Sequence, residues 1–167
     1  MTRALATRQA TGITLGVVSV VVFILTLGKS LVSLAGLWST EAHNQRSLDF
    51  ILFNDWFRPT VWYAPLTNTF GNILLFLPLG FLLMNLHRRS SLRVVALIGL
   101  AISLSIESLQ YIFALGYSDI DDVLFNTLGA VGGALLARRH SVPARGAVTG
   151  IILVSSLAIL VLMALTN

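Results

Sequence analysis

The chain has 167 residues, of which 56% are hydrophobic and only 11% charged, with a net charge of +4. Its mean hydropathy is +0.85; soluble domains carry roughly a quarter charged residues, so this chain lacks the polar surface to cover itself and lipid is its expected solvent. It has no cysteine, which excludes disulfides, a thiol nucleophile and thiolate metal ligation. Its basic residues sit in short clusters beside apolar runs, the pattern of a membrane protein rather than of a nucleic-acid binder.

The sequence predicts an all-α polytopic membrane protein, one membrane domain over residues 1–167 with about five transmembrane helices. The apolar runs are about Gly12–Leu27, Asn68–Leu86, Leu92–Leu115, Asp122–Ala137 and Ala147–Leu165. Most approach the roughly 20 residues that cross a hydrocarbon core of about 30 Å. The fourth is short and glycine-rich. None alternates as a barrel strand does.

Eight of the eleven basic residues (Arg3, Arg8, Arg88, Arg89, Arg93, Arg138, Arg139 and Arg145) fall on one alternating set of connections. The positive-inside rule makes that set, and the N-terminus, cytoplasmic. A rival reading of the N-terminus is a cleaved signal peptide ending at Ser33-Leu34-Ala35. The apolar stretch is long for such a segment and Lys29 interrupts the approach to the site, so an uncleaved span is the expectation.

The long outer connection, about Lys29–Thr67, contains "SLDFILFNDWFRP". Ser47 is a candidate N-cap and Pro59 a stop, predicting an interfacial or re-entrant helix, with an aromatic-anchored loop as the alternative. Trp56, Trp62 and Tyr63 suit a headgroup interface.

Polar residues concentrate between the third and fourth spans. The stretch Ser105–Ala130 holds Glu107, Asp119, Asp121 and Asp122, four of the seven acidic residues. Ser103, Glu107 and Gln110 share a helix face at i, i+4 and i+7, and so do Asp122, Asn126, Gly129 and Gly133. With Asn72 on the second span, three helices each place polar groups in the outer half of the membrane. A carboxylate there is expensive to leave in lipid, so Asn72, Glu107, Gln110, Asp122 and Asn126 are expected to converge on a small pocket open to the outside. Pro78 predicts a kink in the second span. Asp119 or Asp121 suits an N-cap of the fourth, whereas a buried Glu107 is a functional candidate by default. His43, His87 and His140 form no ligand cluster. "GITLG" at Gly12–Gly16 and "GAVGG" at Gly129–Gly133 are weak packing signals.

The blocks "NTFGNILLFLPLGFLL" (Asn68–Leu83), "IESLQ" (Ile106–Gln110) and "DIDDVLFNTLGAVGG" (Asp119–Gly133) resemble the VanZ-like membrane proteins in type, order and spacing. The resemblance covers a core of about residues 60–140 and leaves the first and last spans outside it. It implies a multi-pass protein of the bacterial cytoplasmic membrane, in a family linked to low-level resistance to teicoplanin, a lipophilic glycopeptide. The family's characteristic residues carry over to Asn72, Pro78, Gly80, Glu107, Gln110, Asp119, Asp122, Asn126 and Gly129. Members often have an arginine where this chain has Tyr117, after Gly116; Arg46 and Arg58 lie on the same side as substitutes.

Three functions are compatible with these residues. The pocket binds a lipid-linked cell-wall precursor, an envelope polymer or a lipophilic drug such as a lipoglycopeptide, with membrane lipids as its surroundings. Alternatively it is an enzyme on such a lipid, using Glu107 as general acid or base, with Asp119 and Asp122 holding a divalent cation through oxygen ligands. Ion-coupled transport ranks last, because polar residues are sparse on the inner half and no inverted repeat is visible.

Overall fold

The computed structural model describes residues 2–5, 7–27, 46–59, 61–86 and 91–166. Its elements in chain order are α1 (Thr2–Leu5), α2 (Arg8–Leu27), β1 (Arg46–Asp49), α3 (Asn54–Phe57), α4 (Ala64–Leu86), α5 (Leu92–Phe113), β2 (Gly116–Asp119), α6 (Ile120–Arg139) and α7 (Val142–Thr166). Among the described residues five helices, α2 and α4 to α7, are long and apolar enough to cross a membrane. The protein is therefore a polytopic helical membrane protein. Lys29, the Ser33-Leu34-Ala35 site, His43, His87, Arg88 and Arg89 lie outside the described residues.

Four of the five long helices outrun the apolar stretches that predict them, whereas α5 stops at Phe113, two residues short of the Leu92–Leu115 run. The fourth run, Asp122–Ala137, is the centre of a 20-residue helix, α6. Acidic Asp121 and Asp122 occupy its first turn and Arg138 and Arg139 its last. That distribution complements the partial positive charge at a helix N-terminus and the negative charge at its C-terminus, so the charged ends extend the helix beyond its apolar middle. Likewise α4 begins at Ala64, before Asn68.

The α4–α6 pair is the spine of the fold, and small residues make it. A Cβ on Gly80 would sit 1.8 Å from the Ala130 carbonyl oxygen, and one on Gly133 would sit 1.9 Å from that of Leu77. Backbone meets backbone at this crossing, an approach that only glycine permits. Phe76, Leu79, Leu82, Ala130 and Ala134 are almost completely buried around it. The second small-residue stripe behaves differently: Gly16 has nothing within 4 Å of its missing Cβ and Gly12 only the tip of Leu86 at 3.9 Å. α5 packs on α6, while α2 packs on α4 and α7 and brings Val18 and Val22 into the core. α7 stays peripheral, with Ile151, Val154 and Leu165 exposed and therefore turned to lipid.

The long connection departs from the expected helix. Ser47 does not cap a helix; it lies in β1, which pairs in parallel with β2 so that Arg46 faces Gly116 and Asp49 faces Asp119. The helix that follows is a single turn, Asn54–Phe57. Asp49 explains the interruption. Its Oδ1 accepts from the Ile51 N–H at 2.8 Å and its Oδ2 from Asn54 Nδ2 at 2.6 Å, a local turn that competes with helix. The chain also turns sharply after α5. Ala114 takes a left-handed φ of 53° and Gly116 a φ of 140°, with the Leu115 N–H donating back to the Gln110 carbonyl at 2.8 Å. This is a Schellman-type stop, and Gly116 supplies a conformation that side chains resist. It folds β2 back over the end of α5.

Candidate functional site

That reversal sets Glu107. The residue sits six positions before the last residue of α5, about 9 Å inside its end at 1.5 Å per residue. It is only 8% exposed. The returning strand covers it: Ser118 Oγ donates to the Glu107 carbonyl at 2.8 Å, and the Asp119 N–H donates to Glu107 Oε2 at 2.9 Å. The backbone N–H and the buried carboxyl oxygen thus satisfy each other, as buried polar groups require.

Asp119 is the N-cap of α6, its Oδ1 accepting from the Asp121 N–H at 2.8 Å, as its residue type predicts. Burial pushes its carboxyl up to about 7; the charges of Asp122, Asp121 and Asp55 add to the rise, and the Asp121 N–H opposes it. Asp49, across the strand pair, is held below the usual carboxylate range by the Ile51 N–H and the Asn54 amide.

These three acids line one cavity of about 330 Å³. Leu48, Leu104, Ile112 and Val123 give it apolar walls, and Ser108 and Tyr111 add hydroxyls. It is thus an apolar slot with acceptors at one end, a form suited to an amphiphile.

The polar residues that the sequence places together are divided in the fold. Asp122 Oδ1 accepts from Asn72 Nδ2 at 2.6 Å and from Asn68 Nδ2 at 2.9 Å, tying α6 to α4. Asn126 Nδ2 donates to Ser103 Oγ at 2.9 Å, tying α6 to α5. Gln110 Nε2 donates to the Thr26 carbonyl at 3.3 Å, tying α5 to α2. Glu107 and Asp119 line the cavity; Asn72, Gln110, Asp122 and Asn126 do not. The expected single pocket is therefore one cavity plus three interhelical ties. The reason is geometric: a face shared on one helix fixes direction, and each neighbouring helix takes a different part of it. Gln110 Oε1 and Asn126 Oδ1 are buried without a hydrogen-bond partner among the described residues.

Asp119 and Asp122 engage different partners, and among the described residues no group of three His, Cys, Asp or Glu side chains is placed to hold a metal ion. His140 stands at the end of α6, its Nδ1 2.7 Å from the Leu136 carbonyl oxygen.

Sequence reasoning missed four participants. Asn68 lies one turn before Asn72 and was accessible from that spacing. Asp121, 3% exposed, accepts from the Phe53 N–H through both oxygens, at 3.0 and 2.8 Å, and so holds the loop against α6. Asp49 and Ser118 reach the site only through the strand pair, whose four-residue strands are shorter than the usual five or six and carry no readable alternation. The same register brings the Arg46 backbone opposite Gly116, next to Tyr117; Arg58 is exposed beyond α3.

Fold and site define a multi-spanning membrane protein with an acid-lined cavity at one end of its bundle. The family described as VanZ/LLP1 matches residues 15–142, and the chain belongs to that family. The match reaches back into α2, well beyond the central blocks, and ends where α7 begins. Among curated proteins the chain is similar to "Protein VanZ" of Enterococcus faecium, 41% identical over 66 residues, or 39% of this chain and 40% of that protein. The similarity thus spans less than half the length of that relative. No solved structure matches the chain.

Proposed function

We propose that this is a protein of the bacterial cytoplasmic membrane that binds an amphiphilic envelope component or drug in the cavity between α5, the strand pair and α6. The classes in view are a lipid-linked cell-wall precursor, an envelope polymer and a lipophilic glycopeptide. Family membership links the chain to low-level teicoplanin resistance, and resistance by altered drug access requires no bond to be broken. The orientation follows from the clustered arginines, which put the Glu107 end outside. The observation that carries the reading is the pairing of apolar walls with a buried, hydrogen-bonded Glu107 in one cavity of about 330 Å³.

Purified protein in nanodiscs, titrated with dye-labelled teicoplanin and with a polyprenyl-diphosphate-linked saccharide, tests it. Saturable binding of at least one, weakened tenfold or more by Glu107→Ala, is the expected result. Absence of saturable binding for both overturns the reading.

A second reading is favoured by one specific feature. Asp119, pushed up to about 7, lines the same cavity as Glu107. A carboxyl that titrates near neutrality is suited to general acid–base work, so in an enzyme Asp119 joins Glu107 as a candidate proton carrier. Mass spectrometry of the lipid-linked saccharide after incubation decides this: a new product formed by the native protein and lost in Asp119→Asn supports catalysis, and an unchanged lipid rejects it.

A further inference from the structure

Three contacts fix the depth of the segment that joins β1 to α4. α6 has 20 residues, with Arg138 and Arg139 in its last turn. It rises about 30 Å, the thickness of a hydrocarbon core. With the arginines at one boundary of that core, its first turn lies at the other. Asp121 in that first turn binds the Phe53 N–H through both oxygens. The Phe53 ring packs on Phe125, with centroids 6.2 Å apart, one turn further in. Trp56 Nε1 donates to Thr69 Oγ1 at 3.3 Å, and Thr69 lies about 7.5 Å down α4 from Ala64. The segment is therefore level with the first turns of both helices, and its aromatic side chains reach below them.

The backbone there is prepared for such a position. Non-helical backbone at membrane depth needs its polar groups satisfied by the protein. The Ile51 N–H has Asp49 and the Phe53 N–H has Asp121. The N–H groups of Asn54, Trp56 and Arg58 have the carbonyls of Ile51, Phe53 and Asn54. Phe53 takes a φ of 61°, which a bulky side chain resists, and the two Asp121 oxygens hold it there.

The outward face continues a lipid-facing one. Phe50 is 73% exposed, Phe57 82% and Trp62 79%. The Tyr63 carbonyl accepts from the Thr67 N–H, so Tyr63 is already in the register of α4. From there the exposed side chains Tyr63, Leu66, Phe70 and Leu74 follow i, i+3, i+7 and i+11, one stripe that runs down the span. Aromatic side chains at the top of such a stripe suit the boundary between head groups and acyl chains. Arg58, also exposed, has a stem long enough to carry its charge up to the head groups.

We propose that residues 50–59 and 61–63 are immersed in the leaflet at this boundary, with bilayer lipid as their partner, and that Asp121 is the latch that sets their depth. The immersion is independent of what the cavity binds. It puts Leu48, Asp49 and Phe50, which line that cavity, at the level of the leaflet.

The chain has no cysteine, so Phe57→Cys carries a single nitroxide. Ile151→Cys, on the exposed face of α7, is the reference in lipid. Ser141→Cys, exposed between α6 and α7, is the reference near water. In nanodiscs dissolved oxygen, which partitions into lipid, relaxes the label at position 57 nearly as fast as that at 151. A water-soluble nickel chelate relaxes it about threefold less than the label at 141. Nickel access equal to that at 141 puts the segment in water and overturns the proposal. Slow relaxation by both agents means that protein covers the segment, residues 28–45 or a partner, and overturns it equally. Asp121→Ala raises nickel access at 57 about threefold and leaves the label at 151 unchanged, so the bundle is intact. Asp121→Asn, which keeps one acceptor oxygen, gives a smaller rise and decides alone if the alanine variant does not fold. No rise in either variant overturns the latch and leaves the immersion standing.

Discussion

The Asp119 N–H donates to Glu107 Oε2 at 2.9 Å across a reversal of the chain. This one bond joins the last turns of α5 to the start of α6 and places the N-cap of α6 on the same cavity wall as the buried acid. The donor is a backbone group, so its need for an acceptor persists whatever side chain occupies position 119. It follows that the two Glu107 variants differ. Glu107→Gln keeps an amide oxygen for the Asp119 N–H and retains stability close to that of the native chain. Glu107→Ala leaves the donor unpaired, at a cost of about 1–3 kcal/mol. Denaturant unfolding in bicelles measures both; equal losses in the two variants reject the bond as a structural tie.

Asp119 makes stability depend on pH. Its folded-state pKa of about 7 lies above the ordinary value of 3.8, so the folded protein binds more protons than the unfolded chain between those values. The contribution of Asp119 to stability is largest below about pH 4, declines as pH rises towards about 7, and is level above that. Asp119→Asn keeps a good N-cap for the Asp121 N–H and flattens this slope. Unfolding midpoints across that range check it, and a slope unchanged in the variant counts against the assignment.

Asp122 binds α6 to α4 through Asn72 at 2.6 Å and Asn68 at 2.9 Å. A double-mutant cycle of Asp122→Ala with Asn72→Ala should give a coupling of about 1–1.7 kcal/mol, the upper part of the range for interhelical bonds in membranes, because the acceptor is charged. A coupling near zero says that the two side chains act independently.

Gly80 and Gly133 differ sharply from Gly132 and Gly71. A Cβ at either of the first two strikes backbone at under 2 Å, while at the second two nothing lies within 4 Å. Gly133→Ala should therefore destabilise by about 1–3 kcal/mol or more, and Gly132→Ala should be near neutral. Thermal unfolding of the pair in detergent, compared side by side, decides whether the α4–α6 crossing is the spine of the fold.

The five spans, the Asp119 cap, the close approach at Gly129–Gly133 and the burial of Glu107 follow from local rules, because hydropathy, helix period and capping chemistry act over a few neighbouring residues. Ser103, Glu107 and Gln110 were readable as one buried face for that reason, and all three are buried. Which partner each takes was decided only by packing. Asn72 meets Asp122, Asn126 meets Ser103, and Gln110 meets a carbonyl of α2, because each helix presents its own ridge to the α5 or α6 surface. The pairing of Arg46–Asp49 with Gly116–Asp119 joins segments some seventy residues apart through backbone groups that are alike in every residue. No side-chain pattern announces such a pairing, so the cavity wall that it builds, with Asp49 beside Asp119, exists only in three dimensions.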